Sequence, residues 1–419
     1  VDGVGIDSRT VTGGELFVAV PGERFDGHDH VGAAARAGAV GVLVEQGRGD
    51  DVTPRVEVTD TVTALRDLGA KRRNEISVPV IAITGSTGKT STKDLAAAAL
   101  AEAWASPSSF NNEVGVPLTL LATPADARYL IVEVGSRGKG HIAWLAPAVR
   151  PDVAVVTNLG VVHLETFGTR EVLADAKWEL VESLTASGTA VVPVDDPRLH
   201  RPHPGRTVTF GMSTDADVAI ARLELDDWGR PRFDLVTEAG TRSIALPLPG
   251  RHQAANAAAA TAAALAVGAD LDAVVSGLEL ATVAQWRMEI HRGSFTVVND
   301  AYNANPDSVE AALRTTAALP GRHVAVLGLM AELGSVEEAE HIRIGELAAE
   351  LGFAAVVVVG RDPGIARGAG RISRSVDDAE DATKVLRGFL RPGDAVLVKA
   401  SRVVGLEKVA LALVEEAAA

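Results

Sequence analysis

Short apolar runs alternate with polar, Gly-rich turns along most of the chain. In the first part of the sequence, the runs at 15–20 and 40–44 predict strands, and the pattern at 61–74 predicts a helix. A β-branched run at 78–84, followed by a glycine, opens a second part in which predicted strands alternate with predicted helices. The same alternation returns from about residue 282. The pattern therefore predicts βαβ units and mostly parallel sheets, which is an α/β fold.

The second and third parts carry most of the predicted elements. The predicted strands cover 129–134, 152–157, 189–194, 324–327, 355–359 and 395–398. The predicted helices cover 93–104, 169–184, 307–319 and 339–351, and an Ala-rich helix follows short antiparallel strands at 207–249. The sequence contains no internal repeat and no long low-complexity linker. We therefore expect three α/β-type domains, at 1–77, 78–281 and 282–419.

Composition narrows the classes of function. The chain has 419 residues, which at ~150 residues per domain fits three domains. Its formal net charge of −15 argues against nucleic acid or an anionic membrane surface as the main partner. The absence of cysteine excludes disulfides, thiolate nucleophiles and thiolate metal sites.

The sequence carries no membrane or export signal that we recognise. No apolar run reaches the ~18–20 residues that a membrane span requires, and the start of the chain has no signal-peptide pattern. A cytoplasmic enzyme or binding protein remains. Because Val1 is not an initiator Met, we expect part of the N-terminal domain to be trimmed.

The strongest chemical signal is the segment 84–90, Thr-Gly-Ser-Thr-Gly-Lys-Thr, between a predicted strand and a predicted helix. Its glycines let backbone N–H groups turn toward an anion, and a helix N-terminus adds partial positive charge. Lys89 can reach β- and γ-phosphate oxygens, and Thr90 can offer its hydroxyl to Mg²⁺. Ile83 stands where the generic loop has a further glycine, so this is the shorter G-x-x-G-K-T type. An ordinary βα turn is the alternative, and the flanking elements favour the phosphate site.

Polar residues also follow neighbouring predicted strands. Glu133 comes at the end of one apolar run, and His163 and Glu165 follow another. In open α/β sheets, ligands bind at the carboxyl ends of the strands. A carboxylate and an imidazole beside a triphosphate are suitable Mg²⁺ ligands. Taken alone, the carboxylate or the imidazole would be an ordinary polar group. A metal site is favoured because both are expected at the same edge of the sheet as the phosphate loop.

Lys177 lies on the predicted helix 169–184. Most helical lysines are solvated, but Trp178 beside it leaves a partly buried setting open, in which a lysine pKa shifts readily. Spacing alone does not decide between the two.

Two further polar segments follow predicted strands late in the chain. The segment 299–306 reads Asn-Asp-Ala-Tyr-Asn-Ala-Asn-Pro, and Asn305 as an N-cap with Pro306 in the first helical turn explains only part of it. The segment 399–402, Lys-Ala-Ser-Arg, carries two cations and a hydroxyl that suit a carboxylate ligand.

These motifs occur in an order that resembles the Mur ligases of peptidoglycan synthesis. The likeness covers essentially the whole chain and rests on the segments 7–9, 25–28, 85–90, 109–117, 132–135, 163–165, 176–177, 252–256, 300–306 and 398–402. The strings Asn-Asn-Glu-x-Gly-Val-Pro and Tyr-Asn-Ala-Asn-Pro are the most specific. The resemblance implies a three-domain Mur ligase architecture with a central P-loop ATPase-like domain and a C-terminal Rossmann-like domain. The first domain would bind the UDP-sugar, the central one ATP, and the last one the incoming amino acid or dipeptide.

The resemblance also implies a role for individual residues. The catalytic residues would be Lys89, Lys177 and His163. The ligands of two Mg²⁺ ions would be Thr90, Glu133, His163 and Lys177, with Lys177 carbamylated. The ATP site would comprise Gly85, Ser86, Thr87, Gly88, Lys89, Thr90, Asn112, Gln253, Asn256, Arg287, Asp300 and Asn303. The substrate side would comprise Ser8, Arg9, Asn111, Lys399, Ser401 and Arg402.

Within the family, the motifs are most similar to those of the member that joins D-alanyl-D-alanine to UDP-N-acetylmuramoyl-tripeptide. The resemblance implies that the tripeptide carboxylate takes the γ-phosphate of ATP, and that the dipeptide amine attacks the resulting acyl phosphate. Neither step needs a protein nucleophile, so the lack of cysteine is no obstacle. We expect these two substrates as the partners, no nucleic acid, no membrane span and a monomeric chain.

Some positions depart from the family pattern. Thr87 stands where Asn is usual, Trp178 and Ala400 where Gly is commoner, and Leu329 where Asp is common. The alternatives are a sister ligase that adds a single amino acid, a folylpolyglutamate- or cyanophycin-type ligase, and a nucleotide-binding regulatory relative without turnover. The Asp-Asn-Pro-Arg motif typical of the sister ligase is absent from the sequence.

Overall fold

The computed structural model describes residues 1–22, 25–49, 52, 54–160, 167–282 and 284–418. Within these residues the chain forms three sheets, and helices pack on each of them. His163 and Glu165, which the sequence predicts at the metal site, lie outside the described residues. Among the helices of the described part of the chain, none combines the length and the apolar character that crossing a bilayer requires.

The N-terminal sheet has four parallel strands in the order β1-β2-β3-β4. They are β1 Gly3–Gly5, β2 Glu15–Val18, β3 Gly41–Glu45 and β4 Arg55–Val58. Two helices accompany them, α1 Val31–Arg36 and α2 Thr61–Glu75. Alternate strand residues face opposite sides of the sheet, so Phe17 and Val42 pack in one cluster and Val18 and Leu43 in another. The predicted strands and helix of this part are therefore present.

The central sheet has nine strands in the order β13-β12-β11-β10-β9-β8-β5-β7-β6. They are β5 Val80–Thr84, β6 Ala103–Ala105, β7 Tyr129–Glu133, β8 Val153–Val156, β9 Thr189–Pro193, β10 Arg206–Gly211, β11 Val218–Leu225, β12 Pro231–Thr237 and β13 Gly240–Ala245. The helices of this part are α3 Lys89–Ala99, α4 Gly115–Leu121, α5 His141–Val149, α6 Arg170–Glu182, α7 Gln253–Ala266 and α8 Leu271–Glu279.

The strand β5 lies near the middle of this sheet and is buried on both faces. Ile81 and Ile83 pack with α3 and the Ala-rich helix α7, whereas Val80 and Ala82 pack with α5 and α6. Such two-sided burial is typical of a parallel sheet covered by helices. The carboxyl end of β5 thereby lies between its parallel neighbours β7 and β8, where α/β proteins bind ligands.

The C-terminal sheet has six strands in the order β14-β15-β19-β16-β17-β18, and all its pairs are parallel except β14 with β15. The strands are β14 Glu289–Arg292, β15 Thr296–Asn299, β16 His323–Gly328, β17 Ala355–Val359, β18 Ser373–Val376 and β19 Ala395–Lys399. Its helices are α9 Pro306–Ala317, α10 Glu337–Glu350, α11 Ile365–Ala369, α12 Ala379–Arg387 and α13 Glu407–Ala418. Helices α9 to α11 cover one face, and α12 and α13 cover the other.

Two sequence predictions differ from the structure. The helix predicted at 93–104 ends at Ala99, and Ala103–Ala105 forms β6, which pairs with β7. The residues after Ala99 are helix formers, so local propensity does not indicate where the helix ends. The helix ends here because the following residues pair with β7, which is distant in sequence. In the region predicted as antiparallel, β10 pairs in parallel with β9 and β11, and only the ladder β11-β12-β13 is antiparallel.

Candidate active site

The phosphate loop connects β5 to α3 and depends on two glycines. Gly85 has φ +146° and Gly88 has φ +76°, and both values favour glycine because it has no Cβ. A Cβ on Gly85 would overlap the Oγ1 of Thr157, and one on Gly88 would overlap the Oδ1 of Asn256. The loop can therefore approach its neighbours this closely only with glycine at both positions.

Residues after β8 hold the phosphate loop in shape. The Oγ1 of Thr157 donates to the carbonyl of Thr87 at 2.6 Å, and the Nδ2 of Asn158 donates to the same carbonyl at 3.1 Å. The backbone N–H of Thr87 donates to the Oδ1 of Asn158 at 3.0 Å. The role of Thr157 and Asn158 in holding the loop was not predicted from the sequence. The signal was available, because both are polar residues that follow a predicted strand, which is the pattern that pointed to Glu133.

Lys89 starts helix α3 and turns back over the loop. Its Nζ donates to the carbonyls of Gly85 at 2.7 Å and Ser86 at 3.0 Å. Burial lowers the pKa of Lys89, the nearby Glu133 raises it, and Arg287 lowers it further. The amine therefore lies at the loop itself, and an incoming anion would stabilise its charged form.

Glu133 is 1% exposed at the end of β7 and directs its carboxylate toward the loop. The Oγ1 of Thr90 donates to its Oε2 at 2.9 Å, and the Nδ2 of Asn111 donates to its Oε1 at 2.7 Å. Asn111, which the sequence places on the substrate side, thus orients this carboxylate. Within the described ranges, no cluster of three or more His, Cys, Asp and Glu forms a ready metal cage.

Lys177 on α6 is 2% exposed, and its Nζ lies 5.7 Å from the ring centroid of Phe167. Burial holds the pKa of Lys177 well below its ordinary value, and the positive charge of Lys89 adds to this effect, against the opposite effect of Glu179. The neutral amine is therefore more accessible here than in a solvated lysine. Sequence spacing left the burial of this lysine open, and the structure places it inside the protein.

The residues expected near adenine meet at the start of α7. Gln253 and Asn256 are both buried, and the Nδ2 of Asn256 donates to the Oε1 of Gln253 at 2.9 Å. Asn112 uses its Oδ1 to accept from the N–H of Gly115 at 2.8 Å, at the start of α4. Its side-chain oxygen therefore caps a helix while the residue faces the same cleft.

Arg287 extends from the C-terminal part of the chain to the phosphate loop. Its Nη2 lies 3.2 Å from the Oγ1 of Thr90 and 3.2 Å from the Oγ of Ser109. The guanidinium also stacks 4.0 Å from the ring centroid of Tyr302. The arginine thereby adds a positive charge to the phosphate loop from across the cleft.

Asp300 and Lys399, which the resemblance assigns to different substrates, form one buried pair. The Nζ of Lys399 lies 2.6 Å from the Oδ2 of Asp300 and donates to the carbonyl of Asn303 at 2.8 Å. Burial lowers the pKa of Lys399, and the carboxylate of Asp300 opposes this shift. This cation is therefore already paired within the protein.

Ser401 and Arg402 follow β19 at the same edge. The Oγ of Ser401 accepts from the N–H of Ala331 at 2.8 Å. Arg402 is exposed, and its guanidinium lies 4.5 Å from the ring centroid of Trp286. Of the two, Arg402 is therefore the side chain that reaches solvent in the cleft.

Two departures from the family pattern have a visible structural setting. Trp178 is 2% exposed in the core, and its ring centroid lies 6.1 Å from that of His203, in an edge-on arrangement. Ala400 is buried against Gly328, where an additional Cβ would lie 2.9 Å from the alanine methyl. Each substitution therefore fits its packing.

A cleft of about 1310 Å³ between the central and C-terminal sheets joins these groups. The predicted residues that line it are Ser86, Thr87, Gly88, Lys89, Thr90, Asn111, Asn112, Glu133, Lys177, Gln253, Asn256, Arg287, Asp300, Asn303, Lys399, Ser401 and Arg402. Ser8 and Arg9 do not line this cleft, and Arg9 is exposed and pairs with Asp7 at 2.6 Å.

Family models match along the chain. The model described as "Mur ligase family, catalytic domain" matches residues 1–80, the Mur ligase middle domain matches 83–264, and "Mur ligase, glutamate ligase domain" matches 286–402.

Similar proteins share both sequence and structure with the chain over nearly its full length. A UDP-N-acetylmuramoyl-tripeptide–D-alanyl-D-alanine ligase from Mycobacterium bovis is 39% identical over 99% of this chain and 92% of its own length. The Escherichia coli protein of the same name is 36% identical, over 99% of this chain and 94% of its own length. The crystal structure of MurF from Acinetobacter baumannii superposes with a TM-score of 0.90 at 31% identity, covering 98% of this chain and 93% of that one. MurF ligase from Thermotoga maritima, in complex with ADP, gives 0.88 at 29% identity, covering 99% and 97%. The chain therefore belongs to the Mur ligase family.

Proposed function

We propose that this chain is an ATP-dependent ligase that joins D-alanyl-D-alanine to UDP-N-acetylmuramoyl-tripeptide. The products would be UDP-N-acetylmuramoyl-pentapeptide, ADP and phosphate, in peptidoglycan precursor synthesis. The relatives from Mycobacterium bovis and Escherichia coli carry the name of this ligase. The observation that carries the proposal is the cleft in which a phosphate loop, a buried carboxylate and an arginine from the C-terminal part of the chain converge.

We assign the substrates to the three parts of the chain as the sequence predicts. The UDP-sugar belongs to 1–77, ATP to 78–281 and the acceptor dipeptide to 282–419. The bound ADP in the structure from Thermotoga maritima supports nucleotide binding in the family. We place the reaction in the cytoplasm and treat the chain as a monomer.

The phosphate loop would bind the triphosphate through backbone N–H groups at the start of α3, where the helix dipole favours an anion. Lys89 and Arg287 approach this point from opposite sides of the cleft. Two positive charges there would stabilise the negative charge of the transferring phosphoryl group. Gln253 and Asn256 would bind the base, and Asp300 the ribose.

The oxygen donors at the loop fit Mg²⁺. The carboxylate of Glu133 and the hydroxyl of Thr90 are 2.9 Å apart beside the loop, and Mg²⁺ prefers such oxygen ligands. We propose these two as ligands, with His163 as a further one. When bound, the ions would supply charge neutralisation at the phosphate oxygens.

Lys177 fits a second, modified ligand. A neutral lysine amine can attack CO₂, forming an N–C bond and releasing one proton, and the product is an anionic carbamate. Burial holds the pKa of Lys177 well below its ordinary value, which makes the neutral, reactive amine more accessible than in a solvated lysine. The change replaces an amine, whose protonated form would repel Mg²⁺, by an anionic oxygen ligand.

The chemistry proceeds in two displacements at the substrates. A carboxylate oxygen of the tripeptide attacks the γ-phosphorus, and the bond to ADP breaks. The neutral amine of the dipeptide then attacks the acyl carbon, and the tetrahedral intermediate loses phosphate and a proton to give the amide. The protein positions the reactants and stabilises charge, and no side chain forms a covalent bond to substrate.

Phosphate release tests the proposal. The full chain is assayed with ATP, Mg²⁺ and UDP-N-acetylmuramoyl-tripeptide, with and without D-alanyl-D-alanine, and the pentapeptide is identified by mass. We expect release only with both substrates. Release with a single amino acid as acceptor would indicate the sister activity, and nucleotide binding without release would indicate a non-catalytic relative.

A further inference from the structure

A glycine and a carboxylate from opposite sides of the cleft meet beside the phosphate loop. Gly160 follows β8 in the central part, and Asp307 lies in the first turn of α9 in the C-terminal part. A Cβ on Gly160 would overlap the Oδ2 of Asp307 and lie 3.1 Å from its Cγ. It would also lie 3.4 Å from the Cβ of Ser86 in the phosphate loop. A side chain at 160 would therefore fit only if the carboxylate of Asp307 moved away.

The local backbone does not require glycine at this position. Gly85 and Gly88 have positive φ values, whereas Gly160 is absent from the positive-φ glycines of the described chain. An alanine at 160 can therefore adopt the backbone conformation without the penalty of the left-handed region. The steric demand comes from Asp307, which belongs to the other side of the cleft.

The same approach brings other groups across the cleft. Arg287 lies 3.2 Å from both the Oγ1 of Thr90 and the Oγ of Ser109. Further along α9, Gly229 of the central part faces Thr315, and a Cβ on this glycine would lie 3.2 Å from the threonine methyl. The close approach of Asp307 to Gly160 therefore occurs in the same arrangement in which Arg287 contacts the start of α3.

We propose that Gly160 is a positioning residue, whose missing side chain lets α9 approach until Arg287 reaches the phosphate loop. The inference rests on the proposed ligase function for its kinetic consequence. A methyl group at 160 would overlap the carboxylate of Asp307. On this proposal α9 moves back to relieve the overlap, and the Asp307 side chain does not simply rotate away. A misplacement of reacting groups by about 1 Å can cost up to ~100-fold in rate. We therefore expect a side chain at 160 to lower kcat rather than to weaken nucleotide binding.

The test uses four variants of the full chain, G160A, D307A, the double variant, and G388A as a matched control. Gly388 is exposed with φ −82°, and a Cβ there meets nothing closer than 3.7 Å. We expect kcat for phosphate release to fall ~10- to 100-fold in G160A, with the KM for ATP changed less than about twofold. G388A should match the wild type. The double variant should recover to the level of D307A, because removing the carboxylate removes the clash.

A readout independent of turnover is the radius of gyration in solution with a non-hydrolysable ATP analogue. We expect G160A to be larger than the wild type, and the double variant to return to the wild-type value. A normal kcat in G160A, or a double variant no better than G160A at an unchanged melting temperature, would overturn the proposal. If the wild type itself shows no acceptor-dependent release, the ligase function fails, and the scattering comparison still decides whether Gly160 sets the spacing.

Discussion

At the residue scale, burial lowers the pKa of two lysines to which we assign different roles. Burial lowers the pKa of both Lys89 and Lys177, because a charge is poorly solvated away from water. Lys89 lies over the carbonyls of the phosphate loop, so a bound triphosphate would restore its charge. Lys177 lies beside Phe167, and its lowered pKa makes the neutral, nucleophilic amine more accessible. The surroundings, rather than the residue type, separate a phosphate-binding lysine from one suited to carbamylation.

Replacing Lys177 by Ala is expected to abolish ligation while nucleotide binding stays within about threefold of the wild type, because the lysine acts on the metal side of the cleft. Acetate or formate should restore part of the activity if an anionic oxygen is what the variant lacks. Phosphate release and nucleotide titration measure the two effects. Lys408, an exposed residue of α13, gives the control variant Lys408→Ala. Full activity in Lys177→Ala would remove carbamylation from the mechanism.

Replacing Lys89 by Ala should weaken ATP binding itself. A hydrogen bond to a charged group contributes ~1.5–3 kcal/mol, which corresponds to a loss of affinity of roughly 10- to 150-fold. Calorimetric titration with an ATP analogue measures the change, and the exposed Lys71 of α2 gives the comparison variant Lys71→Ala. Normal affinity and turnover in Lys89→Ala would show that the phosphate loop has been assigned wrongly.

At the element scale, the phosphate loop depends on a neighbouring strand as much as on its own sequence. Asn158 makes hydrogen bonds with both the N–H and the carbonyl of Thr87, 71 residues away along the chain. Thr157 adds a second donor to the same carbonyl. The glycines permit the turn, and the residues after β8 select one conformation of it.

Asn158→Ala therefore should cost both stability and nucleotide affinity. Asn158→Ala removes the partner of the Thr87 N–H, while Thr157 still donates to the Thr87 carbonyl. The loss of one such hydrogen bond is expected to lower the free energy of unfolding by ~0.5–1.5 kcal/mol. The loop would also lose its fixed shape, so nucleotide affinity should fall even where the variant is fully folded. Chemical denaturation and nucleotide titration test the two effects separately. Unchanged affinity in a folded variant would mean that the loop keeps its shape without this side chain.

The elements that sequence reasoning predicted well are those whose signal is local. The phosphate loop and the cap of α9 by Asn305 each lie within a few consecutive residues, and the structure contains both the glycine turn and the cap. The pairing of Lys399 with Asp300 joins residues 99 positions apart, and only tertiary packing reveals it. The same holds for the early end of α3, where strand pairing competes with helix propensity.

At the scale of the whole molecule, the turn between β11 and β12 of the central sheet contacts the C-terminal part. Arg292 of β14 donates to the carbonyl of Asp227, and its guanidinium lies 3.8 Å from the ring centroid of Trp228. These contacts lie far along the chain from the phosphate loop. They nevertheless hold the C-terminal sheet on the side from which Arg287 reaches Thr90.

Arg292→Ala should therefore loosen the two parts without touching the substrates. A cation–π contact contributes ~0.5–2 kcal/mol, so the closed arrangement should lose roughly two- to thirtyfold in its equilibrium constant. We expect a lower kcat, a larger radius of gyration with the ATP analogue bound, and ATP affinity close to that of the wild type. The exposed Arg374 of β18 gives the control variant Arg374→Ala. Equal radii for both variants and the wild type would show that the hairpin contact does not set the closure, and that the groups inside the cleft hold the two sheets together by themselves.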